Sequence, residues 1–145
     1  MIDAVLDLIG VRPNDRVLDL GCGDGASTRR LARLASGGLA LGVDPSDDSV
    51  RQARRLSAEV ENVMFVLGSP DAIPWQDDFF SVLLARESVT APAALEMFRV
   101  LAPGGRAFVL QSGSEPLLAA GFEAVRSLPV ADGDVVVEAQ KPVLE

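Results

Sequence analysis

The chain contains no histidine and no tyrosine, and only one cysteine. Without histidine the commonest general base is missing and no histidine-based metal centre can form, so no metal site is expected. One cysteine cannot close an internal disulfide, which fits a reducing compartment, the cytoplasm. No apolar run approaches the ~20 residues that cross a bilayer. The opening residues Met-Ile-Asp lack the basic region that precedes the apolar core of a secretory leader. Basic residues are also in the minority: 13 Lys and Arg face 21 Asp and Glu, a formal charge of −8. Phosphate binding wants a basic face, so nucleic acid is not the expected partner. Two local clusters, Arg29-Arg30-Arg33 and Arg51-Arg54-Arg55, read as solvated helix faces.

Apolar residues, by contrast, are plentiful. They make up 48% of the 145 residues, enough for one sizeable core and one domain over residues 1–145. The most informative stretch is Val17 to Gly25. It begins as the apolar run of a strand covered on both faces and turns into three alternate glycines, Gly21, Gly23 and Gly25. A helical pattern follows from Ala26. Strand, glycine loop and helix N-terminus together let a ligand approach bare backbone. Asp19 adds a carboxylate two residues before the first glycine. That charge gains nothing with a pyrophosphate and favours a ligand carrying an ammonium or sulfonium group. A dinucleotide loop also spaces its last two glycines one residue further apart. A nicotinamide-dependent oxidoreductase is disfavoured on both counts.

Periodicity places the remaining elements. Ile2, Val5, Leu6 and Ile9 recur at helical spacing before Gly10. In the helix after the glycine loop, Leu31, Leu34 and Ala35 are expected to face the sheet. Leu39–Val43 is a second strand ending in Asp44-Pro45-Ser46. Asp44 follows the first glycine by about the twenty residues expected of a ribose-binding acid in nucleotide-binding α/β folds. Ser46 and Asp47 are better placed to cap the next helix, which leaves Asp44 free at the strand tip. That helix is expected over 48–60, with Val50, Ala53, Leu56 and Val60 inward. Val63–Leu67 is a third strand and Gly68–Trp75 a loop. Phe79–Ala85 is a fourth strand, with Arg86-Glu87-Ser88 at its carboxyl end, where open α/β sheets place ligands. Ala91–Leu101 reads as a helix with Leu95, Phe98 and Leu101 as core residues. Pro103-Gly104-Gly105 stops it before a fifth strand, Arg106–Leu110. After a short helix, Glu115–Ala120, the Asp132-Gly133 pair joins Phe122–Leu128 to Val135–Ala139 as a hairpin.

These residues resemble the class I S-adenosylmethionine-dependent methyltransferases, and within them the type 11 group. Val17–Gly25 is similar to the family's first motif and Gly42-Val43-Asp44 to its second strand and ribose acid. Gly68–Trp75 is similar to its adenine loop, and Phe98–Arg106 to its RVLxPGGR stretch. The resemblance implies an α/β, Rossmann-like doubly wound sheet of seven strands in order 3-2-1-4-5-7-6 with strand 7 antiparallel. It implies S-adenosylmethionine as cofactor and S-adenosylhomocysteine as product. Asp19 would then lie near the methionine ammonium and organise the loop, while Gly21, Cys22 and Gly23 present backbone to the methionine part. Gly25 completes the loop, Asp44 takes the ribose hydroxyls, and Pro45 packs against adenine. Ser69, Pro70 and Arg86 complete the cofactor set. Pro70 departs from the family pattern, because the residue there usually donates a backbone N–H to adenine and proline has none. Cys22 reads as a small loop residue with its thiol toward the cofactor, not as a nucleophile.

Methyl transfer needs alignment more than acid–base chemistry, so the missing histidine is no bar. If a base is used, Glu87 is the candidate. The chain is little more than the family core, so the acceptor side is expected to be open. That suits a large acceptor, a completing partner subunit or a homodimer. A non-catalytic binding or scaffold protein of the same fold is the alternative reading.

Overall fold

The computed structural model describes residues 2–87, 89–110, 113–130 and 133–143. Helix and strand alternate as α1 (Ile2–Ile9), β1 (Arg16–Leu20), α2 (Ala26–Leu34), β2 (Leu39–Asp44), α3 (Asp47–Leu56) and β3 (Val63–Leu67). Then come β4 (Phe80–Ala85), α4 (Ala91–Val100), β5 (Leu101–Leu110), α5 (Glu115–Ala120), β6 (Glu123–Pro129) and β7 (Val135–Gln140). All seven strands join one sheet in the order β3-β2-β1-β4-β5-β7-β6. The pairs from β3 to β5 are parallel, and β7 runs antiparallel to both β5 and β6. This is the α/β doubly wound order expected from the sequence. The hairpin forms between β6 and β7; Ala131 and Asp132 of its turn lie outside the described residues.

The central strands are apolar on both faces because each face packs a layer of helices. Leu18, Leu20, Leu41 and Leu83 pack with Ala94, Met97 and Val100 of α4. Val17, Ala40, Val82 and Leu84 pack on the other side with Val5 and Ile9 of α1 and with Leu31 and Ala35. Each such aliphatic side chain removed from water is worth roughly 1.5–3 kcal/mol. Caps fix where the helices begin. Ser46 Oγ accepts from Ser49 N at 3.2 Å and Thr90 Oγ1 from Ala93 N at 3.2 Å.

Three expected core residues face solvent instead: Leu34, Leu56 and Leu95. Thr28, Leu31, Ala32 and Ala35 hold the inner face of α2, and Ala93, Ala94, Met97 and Val100 that of α4. Small and polar side chains take inner positions that an apolar count assigns to leucine. α3 ends at Leu56, short of Val60. The fifth strand begins at Leu101, before Pro103-Gly104-Gly105, because Leu101 already pairs with Phe80 across an irregularity in the β4–β5 ladder.

Candidate functional site

Asp19, Gly21, Asp44, Ser69 and Arg86 come from distant parts of the chain and meet at the carboxyl ends of the adjacent parallel strands β1 to β4. The order of connections reverses between β1 and β4, and ligands of open α/β sheets bind at such a switch point. A small cavity of about 60 Å³ opens there, lined by Leu20, Gly21, Pro70, Ala85, Arg86 and Glu87, with Val89, Ala93 and Met97 behind. It is far below the 300–1,000 Å³ of a typical ligand pocket.

The glycine loop is pinned to β2. Gly21 N and Cys22 N both donate to the Val43 carbonyl, at 2.8 and 3.2 Å, and Gly23 N donates to Asp44 Oδ2 at 3.0 Å. Gly25 N closes the loop on the Cys22 carbonyl at 3.0 Å. With these N–H groups spent, the Gly21 carbonyl is left for a cationic ligand; none of the described residues donates to it. The glycines divide by role. Gly21 and Gly23 have φ of +76° and +56°, and a Cβ added to either meets nothing within 4 Å. A Cβ on Gly25 would instead lie 2.5 Å from the Phe65 ring. The first two leave room for a ligand, and the third lets the loop close on the core. This open backbone fits the cofactor that the family resemblance implies.

Asp44 stands at the tip of β2, half-buried. Its Oδ1 accepts from Ser46 N at 2.9 Å and its Oδ2 from Gly23 N. It is therefore held by two backbone N–H groups rather than free, and Ser46, not Asp44, caps α3. Each oxygen keeps acceptor capacity for a hydroxyl. Pro45 beside it is exposed.

Asp19, expected near a ligand's ammonium, lies in the core below the glycine loop and is bonded to protein partners. Its side chain is fully buried. Arg86 Nη2 donates to both carboxylate oxygens at 2.9 Å, and Thr28 Oγ1 donates to Oδ2 at 2.8 Å. The same Nη2 also reaches Ser27 Oγ. Burial pushes the Asp19 carboxyl above the ordinary carboxylate range, with Arg86 and the Thr28 hydroxyl pulling the other way. Thr28 and Ser27 were not picked out from the sequence. The signal was there: Thr28, Leu31, Ala32 and Ala35 share one helical face, which makes the hydroxyl an inward polar group needing a partner.

Cys22 lies under the loop, not over it. Its thiol packs with Val50, Ala53 and Phe65. Burial and the nearby Asp19 and Asp44 push the thiol up to about 12. It is an inert small residue, as the sequence suggested, but it faces the core rather than a cofactor. In the loop after β3, Pro70 lines the cavity, and Asp71 N donates to Ser69 Oγ at 3.2 Å. Glu87 is exposed at the cavity rim, and Ser88 lies outside the described residues.

Comparison with known proteins agrees with this geometry. A family model described as a methyltransferase domain matches residues 17–105. The chain is 36% identical over 122 residues to the ubiquinone/menaquinone biosynthesis C-methyltransferase UbiE of Proteus mirabilis, covering 78% of this chain and 48% of that protein. It spans about half the length of that relative. Among solved structures, a Haloferax volcanii putative methyltransferase in complex with the Trm112 methyltransferase activator superposes with a TM-score of 0.86 at 18% identity, covering 99% of this chain and 89% of that one. An Aquifex aeolicus SAM-dependent methyltransferase gives 0.82 at 20% identity, covering 95% and 88%. At these identities the structures attest the fold. The family model and the glycine loop together establish the family: the chain belongs to the class I S-adenosylmethionine-dependent methyltransferases.

Proposed function

We propose that the chain binds S-adenosylmethionine across the Gly21–Gly25 loop and passes its methyl group to an acceptor by in-line displacement, leaving S-adenosylhomocysteine. One observation carries this reading: the open Gly21 and Gly23 backbone and the Asp44 carboxylate are tied together by the Gly23 N–Asp44 hydrogen bond of 3.0 Å. A loop for the amino-acid part and an acid for the sugar are thus fixed relative to each other. The sulfonium of the cofactor supplies the activated methyl. The chain's own residues bind and orient. Asp44 accepts the ribose hydroxyls, Pro45 and Pro70 flank the adenine, and Ser69 sits at its edge. Pro70 gives that edge no N–H, and the Asp71 N–H is already engaged by Ser69. At the reacting centre alignment does most of the work. Glu87, at the rim, is the base if the acceptor must lose a proton.

The connection between β5 and β6 carries only the six-residue helix α5, with no long insertion to close over a small substrate. A large acceptor or a completing partner subunit suits such an open side. The Haloferax volcanii methyltransferase, of the same fold, is seen with its activator. UbiE is by name a C-methyltransferase, which makes an electron-rich carbon the first acceptor class to try. The single, buried thiol suits a reducing cytoplasm, and among the described residues no helix is long and apolar enough to cross a membrane.

Thermal shift with S-adenosylmethionine, S-adenosylhomocysteine and NAD tests the reading. At a hundredfold excess over its dissociation constant a ligand stabilises by ~2.7 kcal/mol. Stabilisation by the two adenosyl ligands and not by NAD is expected. A response to NAD alone refutes the assignment. Binding without turnover of any trial acceptor supports the non-catalytic alternative.

A further inference from the structure

We infer that Arg99 and Glu96 of α4 are positioning residues for the cofactor: from outside the cavity they seat the Gly68–Trp75 loop, and with it Pro70, against the site; this rests on the cofactor reading above. All five N–H donors of the Arg99 guanidinium are engaged. Nη1 donates to the Trp75 carbonyl and to Asp77 Oδ1, both at 2.8 Å. Nη2 donates to the Ile73 carbonyl at 2.8 Å and to Glu96 Oε1 at 3.1 Å, and Nε to Glu96 Oε2 at 2.8 Å. Glu96 Oε1 in turn accepts from Ile73 N at 2.8 Å. Both backbone groups of Ile73 thus end on α4, and its buried side chain joins the core cluster that holds Ala93 and Met97. The bonds from Arg99 hold the Glu96 carboxyl below the ordinary carboxylate range, so the pair stays charged. A third tie comes from the cap of the same helix: Thr90 Oγ1 donates to Asp71 Oδ1 at 3.1 Å.

The loop has little of its own to hold it in place. Its internal pairing is a single bridge, Ser69 to Ala72. At its other end Gly68 N donates to the Asp44 carbonyl at 3.1 Å, so the loop runs from the sugar acid's own backbone to α4. Pro70 lies between these anchors and lines the cavity beside Gly21, while Ala93 and Met97 of α4 line it from behind. One helix therefore carries part of the cavity wall and also holds the loop that faces it. A loop released from α4 must be ordered again each time the ligand binds, and that ordering weakens binding. Arginine suits the task because its planar fork reaches two carbonyls and a carboxylate at once. The single ammonium of a lysine cannot reproduce that geometry.

The chain's one tryptophan, Trp75, reports on the loop directly: Arg99 holds its carbonyl, and its ring packs edge-on against Phe79 at 5.5 Å. Calorimetric titration with S-adenosylhomocysteine and Trp75 fluorescence, both on the whole chain well below its melting temperature, test the inference. Arg99→Lys is expected to weaken the ligand about tenfold, the worth of one hydrogen bond. Its Trp75 emission should shift to the red in the free chain and return when the ligand saturates the site. Glu96→Ala, which releases the Ile73 N–H, should lose as much and carries the test if Arg99→Lys does not fold. Val5→Ala controls for lost stability: Val5 is buried on the opposite face of the sheet. It should melt lower yet bind within about twofold of wild type with unchanged Trp75 emission. Binding within about twofold of wild type in a folded Arg99→Lys or Glu96→Ala chain overturns the inference. So does a Val5→Ala chain that loses as much affinity, since the effect is then general destabilisation. If the wild-type chain binds no S-adenosylhomocysteine, the cofactor reading itself has failed and the inference with it.

Discussion

Replacing Arg86 by Met strands the Asp19 carboxylate in the core, and the consequence can be worked out with its pH dependence. Asp19 is fully buried and would keep only the Thr28 hydroxyl at 2.8 Å. Removing one partner of a buried pair costs about 3–5 kcal/mol. Because 27% of the Arg86 side chain is exposed, the lower end applies, roughly 3 kcal/mol. For a chain of this size that lowers the melting temperature by about 6–12 °C. Burial already raises the Asp19 carboxyl above its ordinary range, and losing Arg86 raises it further. A group whose folded-state value is raised contributes stability that is fully present below its unfolded-state value and is lost as pH rises through the folded one. The Arg86→Met deficit should therefore be smallest at the acid end, where the carboxyl is protonated in both states, and grow as pH rises. Adding Asp19→Asn removes the ion, so the double variant should recover most of the loss and melt with no added pH dependence. Circular-dichroism melts at pH 5.5, 7 and 8 measure all of this. An Arg86→Met deficit that is flat with pH, or a double variant no more stable than the single one, refutes the reasoning.

The glycines should separate by readout. Gly25→Ala places a Cβ 2.5 Å from the Phe65 ring at φ +83° and should cost about 2–4 kcal/mol in denaturant titration. Gly21→Ala meets open space and should cost only about 1 kcal/mol, for its left-handed backbone, while weakening S-adenosylhomocysteine at least tenfold by calorimetry. Cys22, with its thiol pushed up to about 12, should resist thiol reagents at pH 7.5 in the folded protein and react fully in denaturant. Pro70→Ala restores an N–H at the adenine edge and should tighten S-adenosylhomocysteine up to about tenfold, the worth of one hydrogen bond.

How much of this was legible in the sequence depended on the range of the signal. The strand–glycine loop–helix unit, the Ser46 cap and the hairpin around Gly133 are set by residues within a few positions of each other, and all appear as expected. The strand order came through the family resemblance rather than from periodicity. The helix faces were misjudged at Leu34, Leu56 and Leu95 because the inner positions of α2 and α4 include Thr28, Ala93 and Ala94. Thr28 is inward because a buried carboxylate needs its hydroxyl, and the alanines because α4 packs close to the sheet. The partner of Asp19 was the main thing hidden. Arg86 lies 67 positions away and meets it only because β1 and β4 are neighbours in the sheet. Sequence spacing carries no trace of that contact.

The most direct measurement is a crystal structure of the chain grown with S-adenosylhomocysteine. The account predicts the ribose hydroxyls on Asp44 and the homocysteine part over Gly21 and Gly23. A ligand bound elsewhere, with the space above those two glycines filled by the protein's own side chains, would contradict it.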